Sequence, residues 1–177
     1  MAVKKPNKDN VNSLQEVNEP AVAYKISSTL RAIPAPGNKE KRILRIASSN
    51  AENHMSAIEK MTVSKAGISK LDLEHLKTKT RLDYDKLASV LSVTRATLIN
   101  KKGKDKFNPT VSEKIVSLAD IYAFGYEVFE DEEKFNKWMF RPNTSLGGEV
   151  PYFFIDNEFG REEIKNLIGR IEFGVYS

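Results

Sequence analysis

The 177-residue sequence has no cysteine, two histidines and one tryptophan. It also has no apolar run approaching the roughly 20 residues a membrane-spanning helix needs. Each shortage excludes a chemistry. Without cysteine there is no disulfide scaffold, no thiolate zinc site and no thiol nucleophile. His54 and His75 stand 21 positions apart with no acidic ligand pattern, so neither reads as a metal ligand or a catalytic base. The N-terminus carries Lys4 and Lys5 followed by polar residues and lacks the apolar stretch of a signal peptide. The expectation is a cytoplasmic protein with no membrane partner, no metal and no cofactor.

What is present is 40% hydrophobic and 29% charged, enough for one domain or two small ones. The formal net charge of +4 hides a gradient: residues 1–60 carry +4, residues 61–110 carry +6 and residues 111–177 carry −6. A basic central block suits a polyanion, whereas an acidic C-terminal block would be repelled by phosphates and must serve another purpose.

Residues 1–20 show no sustained period and read as disordered. In the next stretch, Ala21 to Tyr24 and Arg42 to Ile46 read as short strands or helical turns on either side of Pro34-Ala35-Pro36-Gly37. From His54 onward the texture is helical. Met55, Ile58, Met61 and Thr62 fall on one face, ended by Gly67, and Ser69 caps a helix bearing Leu71, Leu73 and Leu76. Asp83 caps a helix through Tyr84, Leu87, Ala88 and Leu91, and Thr94 caps Arg95 to Lys101. Thr110 with Glu113 has the capping-box pattern before a long helix striped by Val111, Ile115, Leu118, Tyr122 and Phe129. Asp131 opens a short helix that Pro142 terminates, and Pro151 opens a further turn. A last helix carries Ile164, Leu167, Ile168 and Ile171 and stops at Gly174. The fold class is all-α. Its divisions are a variable, poorly defined arm over 1–53, a helix-turn-helix domain over 54–110, and a long connecting helix with a C-terminal helical domain over 111–177.

The segment 82–102 spaces two helices around a short turn, the arrangement that presents a second helix to a major groove. Thr94, Arg95, Thr97 and Asn100 are the candidates for base edges or phosphates, and Lys101, Lys102 and Lys104 for phosphates, with operator DNA as partner. A dimer is expected, because such readers use two half-sites. The bland alternative is a helical hairpin with a solvated lysine face.

A second constellation runs through Trp138, Pro142-Asn143, Leu146-Gly147-Gly148, Pro151 and Gly160, then Leu167, Arg170-Ile171 and Gly174-Val175. Its order and spacing resemble the toxin-binding domain of the Xre/MbcA/ParS antitoxins, and with the upstream helix-turn-helix the resemblance covers roughly residues 63–177. The resemblance implies a type II toxin-antitoxin system. Its antitoxin blocks the active site of an NAD-degrading RES-domain toxin and represses its own operon, as a homodimer within the toxin-antitoxin complex. On that basis the toxin-contact candidates are Leu146, Gly147, Gly148, Arg170, Phe173, Val175, Tyr176 and Ser177. Where relatives commonly continue Pro-Leu-Asp-Leu-Leu, this chain has Pro151-Tyr152-Phe153-Phe154-Ile155, with Phe153 at the acidic position.

The rival reading is a stand-alone helix-turn-helix transcriptional regulator whose C-terminal domain only dimerises. An enzyme is not expected. Glu130 to Glu133 is better explained by a helix dipole than by acid-base catalysis, and Gly147-Gly148 lacks the setting of a phosphate loop.

Overall fold

Side chains that can accept a hydrogen bond stand at every helix start in the computed structural model, which describes residues 42–46, 48 and 50–174. Among the described residues seven α-helices follow from them: α1 (Ala57–Ala66), α2 (Lys70–Thr80), α3 (Tyr84–Leu91), α4 (Arg95–Ile99), α5 (Pro109–Phe129), α6 (Glu132–Trp138) and α7 (Glu158–Glu172). Short 3-10 turns occupy Glu52–His54, Thr144–Leu146 and Pro151–Phe154. Among the described residues the only extended pairing is an isolated bridge between Ser69 and Lys106, so the all-α expectation holds. The readings made for residues 1–41, and for Val175, Tyr176 and Ser177, lie outside the described residues.

Ser56 and Ser69 form full capping boxes with Glu59 and Asp72, and Asp83, Thr94, Asp131 and Asn157 each accept first-turn amides of their helices. One start differs from expectation. The long helix opens at Asn108, whose Oδ1 accepts the Val111 amide at 2.8 Å, and Thr110 already lies inside it. Pro109 decides the matter. Its ring presets a helical φ, and the amide it lacks would have had no partner at the first helical position anyway.

α5 is the spine. At 21 residues it spans roughly 30 Å. It packs against α1, α6 and α7. Because neighbours approach from several directions, its buried set is wider than the stripe read from sequence: Val116, Ala119, Ile121 and Ala123 are buried along with Val111, Ile115, Leu118 and Tyr122. Near its C-terminus Tyr122, Tyr126 and Phe129 meet Phe135 of α6 edge-on, with ring centroids 5.3 to 5.7 Å apart, and Trp138 stacks on Phe135.

α1 corrects another expectation. Met55 is buried, but Ile58 and Met61 are 71% and 50% exposed, and the helix turns Ser64 inward, with Val63 half-buried against the core. Lys60 on the same helix pairs with the buried Asp120 of α5 at 2.8 Å. Conversely, two residues of the expected arm belong to the core. Ile43 and Leu44 are fully buried, and their amides are held by the Glu52 carboxylate at 3.2 and 2.6 Å. His75 Nδ1 lies 2.7 Å from the Ile43 carbonyl oxygen and pins the same segment. No strand forms there.

Candidate functional site

The helix-turn-helix unit consists of α3, a three-residue turn and α4. Ser92, at φ 51°, ends α3 in the left-handed region, and Thr94 then caps α4, its Oγ1 accepting the Thr97 amide at 3.2 Å. α4 is shorter than the sequence suggests, because the chain turns at Asn100 and runs back beside α2. Lys102 and Asp105 close that turn, and Phe107 and Leu71 donate their amides to Ile68 and Gly103 at 2.9 and 3.0 Å. The lysines after α4 therefore sit on an ordered loop.

Thr94, Arg95, Thr97 and Asn100 are all exposed, gathered on one short helix and its caps. Arg95 lies 3.6 Å from Asp85 on α3, an exposed pair that water screens. Lys102 and Lys104 are exposed, whereas Lys101 leans over the Phe107 ring at 5.6 Å. Lys106 turns away and donates to the Ala66 carbonyl at 2.7 Å.

A group that sequence reasoning missed fixes α4. The Lys70 side chain is buried, and its ammonium donates to the Leu98 carbonyl at 2.8 Å while pairing with Glu74 at 2.9 Å. It also bonds the Tyr84 hydroxyl and lies over that ring at 4.2 Å. Tyr84 donates in turn to Glu74. One cation thus ties α2, α3 and the end of α4, where a positive charge also suits the helix dipole. In the sequence Lys70 looks like any solvated lysine, so nothing marks it.

The C-terminal face is organised by Asn143. Its side chain accepts the Ser145 amide at 2.9 Å, and its carbonyl takes the amides of Leu146 and Gly148 at 3.0 and 2.9 Å. Leu146 points into the core, so the loop offers a partner the turn after it. Gly147 and Gly148, at φ 67° and 88°, are exposed with open space around them. Arg170 is half-buried and paired with Glu163 at 3.0 Å, and Phe173, just past α7, is 80% exposed. No hydrogen bond or ion pair among the described residues joins the glycine turn to the end of α7. Phe153 is exposed and meets Tyr152 edge-on at 5.6 Å.

This face is anchored to the helix-turn-helix unit by a further residue that the sequence left unmarked. Arg161 of α7 is 3% exposed, and its guanidinium donates to the Ile155 carbonyl at 2.8 Å and the Val90 carbonyl, near the end of α3, at 3.0 Å. Burial lowers its affinity for a proton. The Tyr126 hydroxyl and the Asn136 amide both donate to the Lys79 carbonyl, and Tyr152 donates to that of Lys86. His54 is exposed and pairs with Glu127 at 2.8 Å. Among the described residues no cluster of acidic or histidine side chains is placed to hold a metal, and no helix is long and apolar enough to cross a membrane.

The fold thus defines a helix-turn-helix protein whose last domain is a small helical module with an ordered, glycine-tipped loop. Residues 60–120 match the antitoxin Xre-like helix-turn-helix domain, and residues 125–174 match the antitoxin Xre/MbcA/ParS C-terminal toxin-binding domain. The chain belongs to the Xre/MbcA/ParS-type antitoxins, a family that is not enzymatic. Among its relatives, antitoxin Xre of Photorhabdus laumondii subsp. laumondii is 37% identical over 76 residues, 42% of this chain and 51% of the relative. Antitoxin Xre of Yersinia enterocolitica is 34% identical over 73 residues, 41% and 49% respectively. The chain spans about half the length of these curated relatives.

Proposed function

We propose that this protein is an antitoxin that neutralises a RES-domain, NAD-degrading toxin by binding over its active site, and that it represses its own operon through α3 and α4. The observation that carries the reading is the match of residues 125–174 to a toxin-binding domain, within which the Gly147-Gly148 turn and Phe173 are each exposed. The charge pattern supports it. A pocket for an anionic dinucleotide is favoured by positive potential, and a C-terminal block of −6 complements such a pocket. The exposed aromatics of the same residues, Phe153, Phe159 and Phe173, suit the apolar centre of a protein interface.

The test is co-expression with the product of the adjacent reading frame. That product alone should arrest growth and deplete NAD, and this chain should restore both. Removing Phe173 to Ser177 should abolish rescue while the circular dichroism spectrum and melting temperature stay close to wild type. An adjacent product without toxicity, or rescue by the truncated chain, would refute the reading and leave a regulator whose C-terminal domain only dimerises. For the operator, Arg95→Ala with Lys101→Ala should weaken binding and lower the slope of log K against log salt by about 2.

A further inference from the structure

A basic cleft lies between α6 and the segment where α2 gives way to α3, outside the two faces described so far. Arg81, Lys86, Lys137 and Arg141 line a cavity of about 450 Å³ together with Glu133, Asn136 and Phe140. Lys86 extends toward the Phe140 ring, 6.0 Å from its centroid, and Phe140 stacks on Tyr152 at 5.0 Å, which gives the cleft an aromatic wall. Two carboxylates form ion pairs with these four cations, while Asp85 and Asp131 act on Lys86 and Lys137 through space. Glu133 serves Lys137 at 2.9 Å and Arg81 at 3.7 Å, and Asp83 serves Lys86 at 2.6 Å. Among the described residues no carboxylate pairs with Arg141. The cleft is therefore net positive, although Lys137 and Arg141 belong to the acidic C-terminal block.

We infer that this cleft is a second phosphate seat for duplex DNA, so that the toxin-binding domain itself contributes to operator affinity. The inference rests on the proposed operator binding by α4. Position is the first argument. Arg95 reaches Asp85 in the first turn of α3, and Lys86 of that same turn, about 100° further round the helix, lines the cleft. A helix-turn-helix protein lays the reading helix in the major groove while the preceding helix crosses the phosphate backbone. The flank of α3 is therefore where phosphates pass. Chemistry is the second argument. The ion pairs that hold these cations are exposed and weak, so phosphates can displace the carboxylates at small cost, and release of counterions from the duplex adds a driving force. Arg141 needs no such exchange.

The test uses the full chain and two fluorescent duplexes of equal length, one from immediately upstream of its own gene and one unrelated, titrated across a salt series. Lys137→Gln with Arg141→Gln should weaken both duplexes in similar proportion and lower the salt slope by about 2, with base discrimination unchanged. Lys65→Gln with Lys114→Gln removes the same charge elsewhere and should leave the slope near wild type. Equal loss in the two double variants means a bulk charge effect and overturns the inference. So does an unchanged slope for the cleft variant when Arg95→Ala with Lys101→Ala lowers it. Loss of toxin capture by the cleft variant with its slope intact would give the cleft to the protein partner instead. If wild-type protein binds neither duplex, the operator reading itself falls, and this one with it.

Discussion

Two glycines inside helices are required by contact rather than by backbone conformation. A Cβ at Gly125 of α5 would lie 2.2 Å from the Phe135 ring, and one at Gly160 of α7 would lie 1.8 Å from the Phe154 carbonyl oxygen. A ring in a packed aromatic cluster can shift a little, but backbone in a 3-10 turn cannot without losing its bonds. Gly125→Ala should therefore cost about 2 kcal/mol and Gly160→Ala about 3 kcal/mol or more, read by urea denaturation. Arg161 makes a different demand. Its charge is buried among carbonyls with no carboxylate in hydrogen-bonding contact, so Arg161→Ala leaves the Ile155 and Val90 carbonyls without that donor and should cost about 3 kcal/mol. Sequence spacing marked Gly160 as part of a pattern, but it could not say that the neighbour was a carbonyl oxygen. For Arg161 it offered nothing, because an arginine four residues into an amphipathic helix reads as solvated.

Among elements, helix starts were legible and helix ends were less so. Ser69, Asp83, Thr94 and Asp131 cap where their residue types predict, because capping is a local bond between a side chain and the next turn. The end of α2 at Arg81, of α3 at Ser92 and of α5 at Glu130 uses a left-handed residue with a side chain, where glycine would be unstrained. Glu130→Gly should raise stability by up to about 1 kcal/mol, measured by thermal melting. The caps also set a pH dependence. A hydrogen bond from the Ser56 amide holds Glu59 below the ordinary carboxylate range, the Lys86 side chain does so for Asp83, and the Lys134 amide for Asp131. A carboxyl whose folded pKa is depressed contributes stability above its unfolded value and loses it as pH falls through the folded one. The melting temperature should therefore drop below about pH 4, and the drop should shrink in Asp83→Asn, which caps without titrating.

At the scale of the whole molecule, α5 spans both matched domains. Residues 109–120 lie in the helix-turn-helix match and 125–129 in the toxin-binding match, on one unbroken helix. With Arg161, Tyr126, Asn136 and Tyr152 bonding carbonyls of α2 and α3, the described residues should melt as one unit. Calorimetry should give equal calorimetric and van't Hoff enthalpies for them. A chain ended after Phe129 would expose Tyr122 and Tyr126 and should not fold. Two separate transitions would show the domains to be independent.

The sequence by itself determined what is local or additive: the excluded thiol chemistries, the charge gradient hidden in a net +4, the caps, and the spacing of two helices around a turn. The run from Trp138 to Gly174 was equally readable as a pattern. Tertiary structure alone decided which face of each helix is covered. A 3.6-residue period says that one side is apolar but not which neighbour lies against it, so Ile58 and Met61 turned outward, Leu146 inward, and Ile43 and Leu44 joined the core from a segment read as an arm. It also decided which charges are buried. Lys70 and Arg161 bond carbonyls on helices 28 and 71 residues away in sequence, a proximity that only the packed chain creates.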